Sequence, residues 1–188
     1  WPAMQRYTGG MIGTSADVVF GDSAAKGIEG IDWAEALAAL LPTAEGTVPD
    51  EGRFKGRTNP DLYQSLGYLP AGSSSETVSR TLEFAYHDWG LAQVAQAAGD
   101  MPEMMRLRQR ADSWRNLLDD ESGFFRARDE GGAYGSLAEF DPTTHFDRGG
   151  SDYTEGSAWH WRFYVPHDPA GLAEAVGKDR FAEALATY

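Results

Sequence analysis

The sequence predicts a mainly α-helical protein built from helix hairpins with long loops between them. One stretch repeats apolar residues at alternating steps of four and three, which places them on one face of an α-helix. These residues are Val78, Leu82, Ala85, Trp89 and Ala92. A second stretch repeats this spacing with Met104, Leu107, Ala111, Trp114 and Leu118. Because Gly99 and Asp100 leave a short connection, the two helices are predicted to form an antiparallel hairpin.

The elements before this hairpin are predicted from capping residues and turn formers. Asp32 and Glu35 form a helix-start pattern in which Asp32 caps the helix. Residues 42–60 are rich in glycine, proline and charge, so they are predicted to form a loop. Ser73 and Glu76 form a capping-box pattern, which predicts that the first helix of the hairpin begins at Ser73.

The elements after the hairpin are shorter. Residues 124–128 are predicted to be extended, and residues 131–150 to form a loop. The aromatic run at 159–165 fits either a strand or a buried helix. Asp168, which precedes a proline, starts another helix, and Gly177 ends it before a last helix that reaches the end of the chain.

Helix hairpins of this kind must stack on further helices, because one hairpin does not bury its own apolar face. The stack is either an open solenoid or a closed toroid. No motif recurs at a fixed period, which favours the toroid. The chain starts at Trp1 and stops at Tyr188 within a predicted helix, so residues 1–188 are predicted to be one partial domain, truncated at both ends.

The composition excludes several classes of function. Lys and Arg total 16 while Asp and Glu total 29, a net charge of −13, which argues against nucleic acid as a partner. No apolar run approaches the roughly 20 residues of a membrane-spanning helix, so no membrane insertion is predicted. The absence of cysteine excludes thiolate catalysis and cysteine-bound zinc. The acidic run at 119–121 is predicted to be a solvated face.

Glu155 is the strongest candidate for a catalytic residue. It is the one carboxylate within a dense aromatic segment formed by Tyr153, Trp159, Trp161, Phe163 and Tyr164. Aromatic faces suit the apolar faces of sugar rings, and desolvation by them would raise the pKa of the carboxyl. A carboxyl that stays protonated near neutral pH is what a glycosidase needs as its general acid.

Purely structural interpretations of Glu155 and of a second acid, Asp22, stay open on the residues alone. Glu155 could cap a helix end or pair with Arg162, while the aromatic residues form core. Asp22, which lies four residues before Lys26, could simply form an ion pair on a helix surface.

The run Tyr-Thr-Glu-Gly-Ser-Ala-Trp-His-Trp-Arg-Phe-Tyr-Val-Pro-His-Asp, at residues 153–168, resembles a signature of glycoside hydrolase family 92. Members of this family are calcium-dependent exo-acting α-mannosidases, many of them specific for α-1,2 linkages. Two further blocks resemble the family in the same order, at residues 11–27 and 79–89. The resemblance implies that this chain is part of an (α/α)6 toroid whose full enzyme inverts the anomeric configuration.

The resemblance also implies roles for individual residues. Glu155 matches the general acid of the family, and Asp22 matches an aspartate that contacts the sugar in the −1 subsite. Trp159 and Arg162 lie beside the acid and are expected to shape the pocket. Ser157 departs from the family pattern, where asparagine is common, and so does Ser15, where histidine is often seen. These departures could change subsite contacts.

The resemblance implies that part of the machinery lies outside the chain. The catalytic base and most Ca²⁺ ligands of the family belong to later blocks that do not occur before Tyr188. The isolated chain is therefore expected to be inactive, with mannose-containing glycans and the remainder of the catalytic domain as its partners. A secreted or periplasmic location is implied. The alternatives are another (α/α)6 glycosidase, trehalase-like or glucoamylase-like, or a non-catalytic carbohydrate-binding fragment.

Overall fold

A computed structural model describes residues 2–3, 6–7, 11–47, 56–144 and 151–188. The α-helices within these residues are α1 (Ala16–Ala25), α2 (Trp33–Glu45), α3 (Pro60–Leu66), α4 (Thr77–Ala98), α5 (Met101–Ala111), α6 (Ala158–Trp161), α7 (Pro169–Val176) and α8 (Lys178–Thr187). Short 3-10 helices cover Asp112–Leu117 and Leu137–Glu139. Helix therefore dominates the described part of the chain, as the sequence predicts.

Four two-residue strands form two separate antiparallel pairs. Strand β1 (Pro2–Ala3) pairs with β2 (Arg6–Tyr7), and β3 (Leu118–Asp119) pairs with β4 (Phe124–Phe125). The extended segment predicted at 124–128 is therefore confirmed at its start, where β4 pairs with β3.

The chain divides into two compact units. The first unit comprises Trp1–Gly67 and Glu83–Ser113, and the second comprises Tyr68–Leu82 and Trp114–Tyr188. Helix α4 contributes its first six residues to the second unit and the rest to the first.

The core of the first unit is formed by the apolar faces of α2, α4 and α5. The buried residues of this cluster are Leu37, Leu40, Ala44, Leu91, Ala92, Val94, Ala95, Met104 and Leu107. Arg108 donates to Gln96 across 12 residues of sequence, and Arg110 donates to Asp88 across 22. The separation grows away from the connection, as an antiparallel hairpin requires, so the predicted hairpin of α4 and α5 is confirmed.

Helices α1 and α4 touch backbone to backbone because each carries a glycine at the crossing. A Cβ atom on Gly21 would lie 2.5 Å from the Cα of Gly90, and one on Gly90 would lie 2.6 Å from the carbonyl oxygen of Asp17. No larger residue fits either position at this separation. The close approach holds Asp17 against α4.

Two predicted boundaries in the first unit are wrong. Residues 42–60 were expected to be a loop, but α2 continues through Pro42 to Glu45 and α3 starts at Pro60. Proline removes one hydrogen bond of the helix, yet Ala44 is buried in the core and keeps the last turn helical. Proline at the first position of α3 lacks only an N–H that would have no helical partner. Residues 48–55 lie outside the described part of the chain.

The start of α4 also differs from the capping-box prediction. The helix begins at Thr77, and Glu76 has a φ of +62°, so Ser73 does not cap it. The backbone N–H groups of Val78 and Ser79 donate instead to the carbonyl oxygen of Asp152, and the Thr77 hydroxyl donates to the Asp152 carboxylate. A segment 75 residues away in sequence therefore supplies the cap.

The second unit contains a further correction. Helix α5 ends at Ala111 and the chain continues as a 3-10 helix and β3, so the helical pattern that was read as far as Leu118 ends early. Trp114 is nonetheless fully buried and packs edge to face on Phe125, with 6.2 Å between ring centroids. The apolar spacing thus reports burial correctly but not the type of helix.

The acidic run at 119–121 is not uniformly solvated, contrary to the prediction. Asp119 is buried, and its carboxylate accepts a hydrogen bond of 2.8 Å from Arg126 and others from the backbone N–H groups of Glu121 and Ser122. Burial alone would raise the pKa of Asp119, but these hydrogen bonds outweigh it and hold the pKa below its usual value. Asp119 closes the turn between β3 and β4.

The last helices agree with the sequence. The Asp168 carboxylate accepts a hydrogen bond of 2.9 Å from the backbone N–H of Gly171 and so caps α7. Asp32 caps α2 in the same way through the N–H of Glu35. The aromatic run at 159–165 is helical only at residues 159–161, the end of α6, and its remaining residues form neither the predicted helix nor a strand.

Candidate active site

Glu155 lies on a tight turn of the second unit that directly precedes α6. Its φ is +47°, in the left-handed region where the Cβ atom of a non-glycine residue comes close to the following carbonyl. Such a conformation costs about 1–2 kcal/mol. Only Asn59 and Glu76 share a positive φ among the other non-glycine residues that the structure describes. A strained residue persists where its surroundings hold it, and such residues cluster at functional sites.

Hydrogen bonds hold the backbone on both sides of this turn. The Thr154 N–H donates to the Ser79 hydroxyl at 2.9 Å, and the Trp161 indole N–H donates to the Thr154 carbonyl at 3.0 Å. On the other side, the Ser157 N–H donates to Nδ1 of His160 at 3.1 Å. The contacts come from α4 and α6, so regular elements rather than loops position Glu155.

The side chain of Glu155 is exposed. The expectation that the neighbouring aromatic residues would desolvate its carboxyl is therefore wrong within this chain. Their rings pack on one another: Trp159 meets Phe124 edge to face at 5.0 Å, and Trp161 meets Tyr164 at 4.8 Å. The aromatic residues of this segment are half-buried, so they pack within the second unit without belonging to its buried core.

Tyr153 anchors the chain two residues before Glu155. Its hydroxyl donates a 2.7 Å hydrogen bond to the carbonyl oxygen of Phe125, in β4. Burial of the phenol, together with the nearby charge of Asp152, raises the pKa of Tyr153 above its usual range. The ring therefore stays neutral and acts as a fixed donor.

Trp159 and Arg162 contact each other, and their role in shaping a pocket stays a prediction. The guanidinium of Arg162 lies 4.2 Å from the ring centroid of Phe124 and 4.7 Å from that of Trp159. Burial, aided by the charge of Arg180, lowers the pKa of Arg162. Among the residues that the structure describes, Arg162 forms no ion pair with Glu155; its guanidinium lies over the rings of Phe124 and Trp159.

Asp22 lies in the first unit, on α1, and forms an exposed ion pair with Lys26. The Lys26 ammonium is 2.6 Å from the Asp22 carboxylate, and the two side chains are 65% and 55% exposed. The surface pairing that the spacing allows is thus present. A contact between Asp22 and a sugar stays a prediction.

The sequence analysis missed a buried network of charges in the first unit. Arg57 pairs with Asp88 at 2.6 Å and with Asp17 at 3.2 Å, and all three side chains are fully buried. Arg110 donates two hydrogen bonds to the Asp88 carboxylate, both of 2.7 Å. The Tyr63 hydroxyl adds a donor to Asp88 at 3.0 Å. We call these five residues the buried charge network.

The two carboxyls of this network respond to burial in opposite ways. Burial alone would raise the pKa of Asp88, but the positive charges of Arg57 and Arg110 outweigh it and hold the pKa below its usual value. Asp17 faces Arg57 at a longer distance, and burial raises its pKa against that charge. One oxygen of Asp17, Oδ1, is buried and has no hydrogen-bond partner among the described residues.

His87, a buried residue of α4, lies beside this network. The Thr14 N–H donates to Nδ1 of His87 at 2.9 Å, so the proton of a neutral ring resides on Nε2, which lies 3.0 Å from the Glu83 carboxylate. Gly13 makes room for the ring, because a Cβ atom there would lie 2.3 Å from it. A signal for the buried acid was present in the sequence: Asp88 shares a helical face with Phe84, Leu91 and Ala95.

No group of three or more His, Asp or Glu in the described residues is arranged to hold a metal ion. In the same part of the chain, no helix is long and apolar enough to cross a membrane. His145 lies outside the described residues.

Comparison with known proteins gives concordant matches. The model of the glycosyl hydrolase family 92 catalytic domain matches residues 1–188. A secreted glycosidase of Arthroderma benhamiae, itself uncharacterised, is 29% identical over 88% of this chain and 24% of its own length.

Solved structures agree with these matches. A GH92 α-mannosidase from Bacteroides thetaiotaomicron in complex with mannoimidazole matches with a TM-score of 0.86 and 30% identity, over 99% of this chain and 24% of that one. A GH92 inverting mannosidase from Bacteroides thetaiotaomicron VPI-5482 matches with a TM-score of 0.83 and 34% identity, over 95% and 24%.

These matches confirm the predicted fold class, which is mainly α and part of an (α/α)6 toroid. They also decide against the trehalase-like and glucoamylase-like alternatives. The chain spans about a quarter of the length of the relatives it matches, at 24% of each of these three.

Proposed function

Because the chain belongs to glycoside hydrolase family 92, we propose that it contributes the general acid to an enzyme that hydrolyses terminal α-linked mannose with inversion. Glu155 is that acid. The observation that carries the proposal is its exposed carboxylate on a strained turn that two helices hold in place. A carboxyl in this position is available to a ligand, and its backbone is fixed.

In this mechanism Glu155 protonates the glycosidic oxygen as the bond to the anomeric carbon breaks. A second carboxylate removes a proton from the attacking water on the opposite face of the sugar, and inverting enzymes hold the two groups about 6.5–9.5 Å apart. We propose that this base lies beyond Tyr188. The bound substrate and the remaining domain would then cover Glu155 and supply the desolvation that a general acid needs.

Substrate and calcium roles complete the proposal. Asp22 contacts the sugar, Trp159 and Arg162 shape the pocket, and the linkage cleaved is α-1,2. Calcium-dependent turnover is part of this proposal, with the ion held mainly by residues outside this chain. A secreted or periplasmic location agrees with the secreted relative.

The test uses the longest protein that carries this sequence, with α-1,2-mannobiose as substrate. Glu155→Gln removes the proton but keeps the shape, and kcat should fall by about 10²- to 10⁴-fold, the usual contribution of general acid catalysis. Glu130→Gln is the matched control, because Glu130 is an exposed glutamate of the same unit. An unchanged rate in Glu155→Gln would refute the role of Glu155.

The same preparation tests the remaining claims. A chelator should abolish turnover and added Ca²⁺ should restore it, while proton NMR of the first product should show the β-anomer of mannose. Binding of mannose by calorimetry without any turnover would instead support a non-catalytic carbohydrate-binding protein.

A further inference from the structure

We propose that Ser79, His160 and Trp161 are positioning residues that fix the direction of the Glu155 carboxyl by clamping the peptide groups around it. We call these three residues the turn clamp. The inference rests on the proposed role of Glu155 as general acid, and it adds three residues that contribute through their contacts with the turn rather than by touching substrate.

Trp161 holds the peptide group directly before Glu155. The carbonyl of Thr154 belongs to the same planar unit as the N–H of Glu155, and the indole N–H of Trp161 fixes that carbonyl at 3.0 Å. The φ of Glu155 is a rotation relative to this plane. With the plane held, φ alone sets the direction in which the side chain leaves the backbone, and φ is +47°.

Ser79 holds the preceding peptide group from the start of α4. Its side chain is fully buried, and its hydroxyl accepts the Thr154 N–H at 2.9 Å. The N–H of Ser79 in turn donates to the carbonyl of Asp152. The helix and the turn therefore exchange hydrogen bonds in both directions, and the turn inherits the rigidity of α4.

His160 holds the chain after Glu155. A backbone N–H only donates, so the Ser157 N–H makes Nδ1 of His160 an acceptor without a proton. The ring also covers Gly156, where a Cβ atom would lie 3.0 Å from both Cβ and Cγ of His160. Glycine at 156 thus permits the contact, and the ring closes the turn from that side.

Together the three contacts explain how a left-handed glutamate persists. Partners on α4 and α6 fix the peptide groups 153–154 and 154–155 before Glu155 and the group 156–157 after it, so relaxing the strained backbone would disturb these hydrogen bonds. A general acid must lie within about 0.5 Å of its productive position. The turn clamp supplies that precision from regular elements.

The test compares two substrates in the longest protein that carries the sequence. The leaving group of α-1,2-mannobiose needs a proton on its oxygen. The leaving group of 2,4-dinitrophenyl α-mannoside is a stable phenolate that departs without one. Trp161→Phe and His160→Leu should lower kcat on the disaccharide by about 10- to 100-fold, with KM unchanged and the aryl mannoside within about threefold. A general loss of packing would slow both substrates alike.

Two further variants separate positioning from folding. His160→Asn places an amide oxygen close to the position of Nδ1, so it should restore most of the rate that His160→Leu loses. Tyr134→Phe removes a comparable side-chain donor, at 2.9 Å from the carbonyl of Leu118, elsewhere in the second unit. That variant should leave kcat unchanged on both substrates.

Glu155→Gln is the reference for the outcome. If it spares the aryl mannoside while the turn-clamp variants slow both substrates equally, the clamp is refuted and the acid stands. If Glu155→Gln also slows both equally, the proposed function itself fails.

Discussion

The two compact units treat their key carboxylates in opposite ways. In the first unit, Asp88 is fully buried and is held by Arg57, Arg110 and Tyr63. In the second unit, Glu155 is exposed on a left-handed turn, and the hydrogen bonds around it involve its backbone neighbours rather than its carboxylate. In the first arrangement the carboxylate is fully engaged by partners in the protein interior, and in the second it is available to a ligand.

This difference separates a stabilising acid from the proposed catalytic one. A carboxylate that accepts several strong donors in the interior has a lowered pKa and no oxygen to offer a substrate. A carboxyl group whose backbone is fixed while its side chain is open can, in its protonated form, donate a proton to a bound substrate. Substitutions in the buried charge network are therefore expected to change mainly stability, and substitutions in the turn clamp mainly activity.

The largest effect on stability is expected at Asp88. Asp88→Ala removes the buried carboxylate that Arg57 and Arg110 share and leaves them, among the described residues, only Asp17 and Glu45 as acidic partners, so the free energy of unfolding should fall by about 3–5 kcal/mol in urea titrations. Glu29→Ala, at an exposed position of the first unit, is the control and should change it by less than about 0.5 kcal/mol. An equally small loss at Asp88 would show that the network is not structural.

The pH dependence of stability should differ in sign between the two acids of the network. The pKa of Asp88 is lowered from 3.8, so its contribution is present above that value and is lost as pH falls through the lower folded pKa. The deficit of Asp88→Asn should therefore shrink below about pH 4. Asp17 has a raised pKa, so wild type should gain stability relative to Asp17→Asn as pH falls from the raised value towards 3.8. Urea unfolding across this range checks both slopes, and parallel slopes would contradict the assignment.

A smaller effect is expected at Glu155 itself. Because its φ is +47°, Glu155→Gly relieves the strain that Glu155→Ala keeps, and the glycine variant should be more stable by about 1 kcal/mol in thermal or urea unfolding. Both variants should lack activity on α-1,2-mannobiose. A more stable alanine variant would show that the turn is not strained.

The smallest effect on stability is expected at Asp22. Its ion pair with Lys26 is exposed, so Asp22→Asn should change the free energy of unfolding by no more than about 0.5 kcal/mol. If Asp22 contacts the sugar, KM for the mannoside should rise severalfold in the same variant. An unchanged KM would reduce Asp22 to a surface residue. Lys26→Gln removes the same ion pair but keeps the carboxylate, so KM should stay unchanged there.

The sequence predicted features whose physical cause is local. The caps at Asp32 and Asp168 reach a backbone N–H three residues away, and the hairpin of α4 and α5 follows from helical spacing around Gly99. Glu155 was found from its neighbours in a run of 16 residues, at 153–168. Its burial was predicted wrongly, because the sequence does not tell that the nearby rings pack on Phe124 and Tyr164 rather than on the carboxyl.

What the sequence by itself determined is thus the helical class, the caps at Asp32 and Asp168 and the candidate acid, since spacing and capping act within one or two turns of chain. Only the tertiary structure decided which charges are buried and which turn is held. Arg57 reaches Asp88 across 31 residues, and Ser79 reaches Thr154 across 75. Such contacts depend on which folded elements pack together, and local sequence patterns do not predict that packing. Of the contacts that hold the turn of Glu155, the one from Ser79 is of this kind, whereas those from His160 and Trp161 are local in sequence.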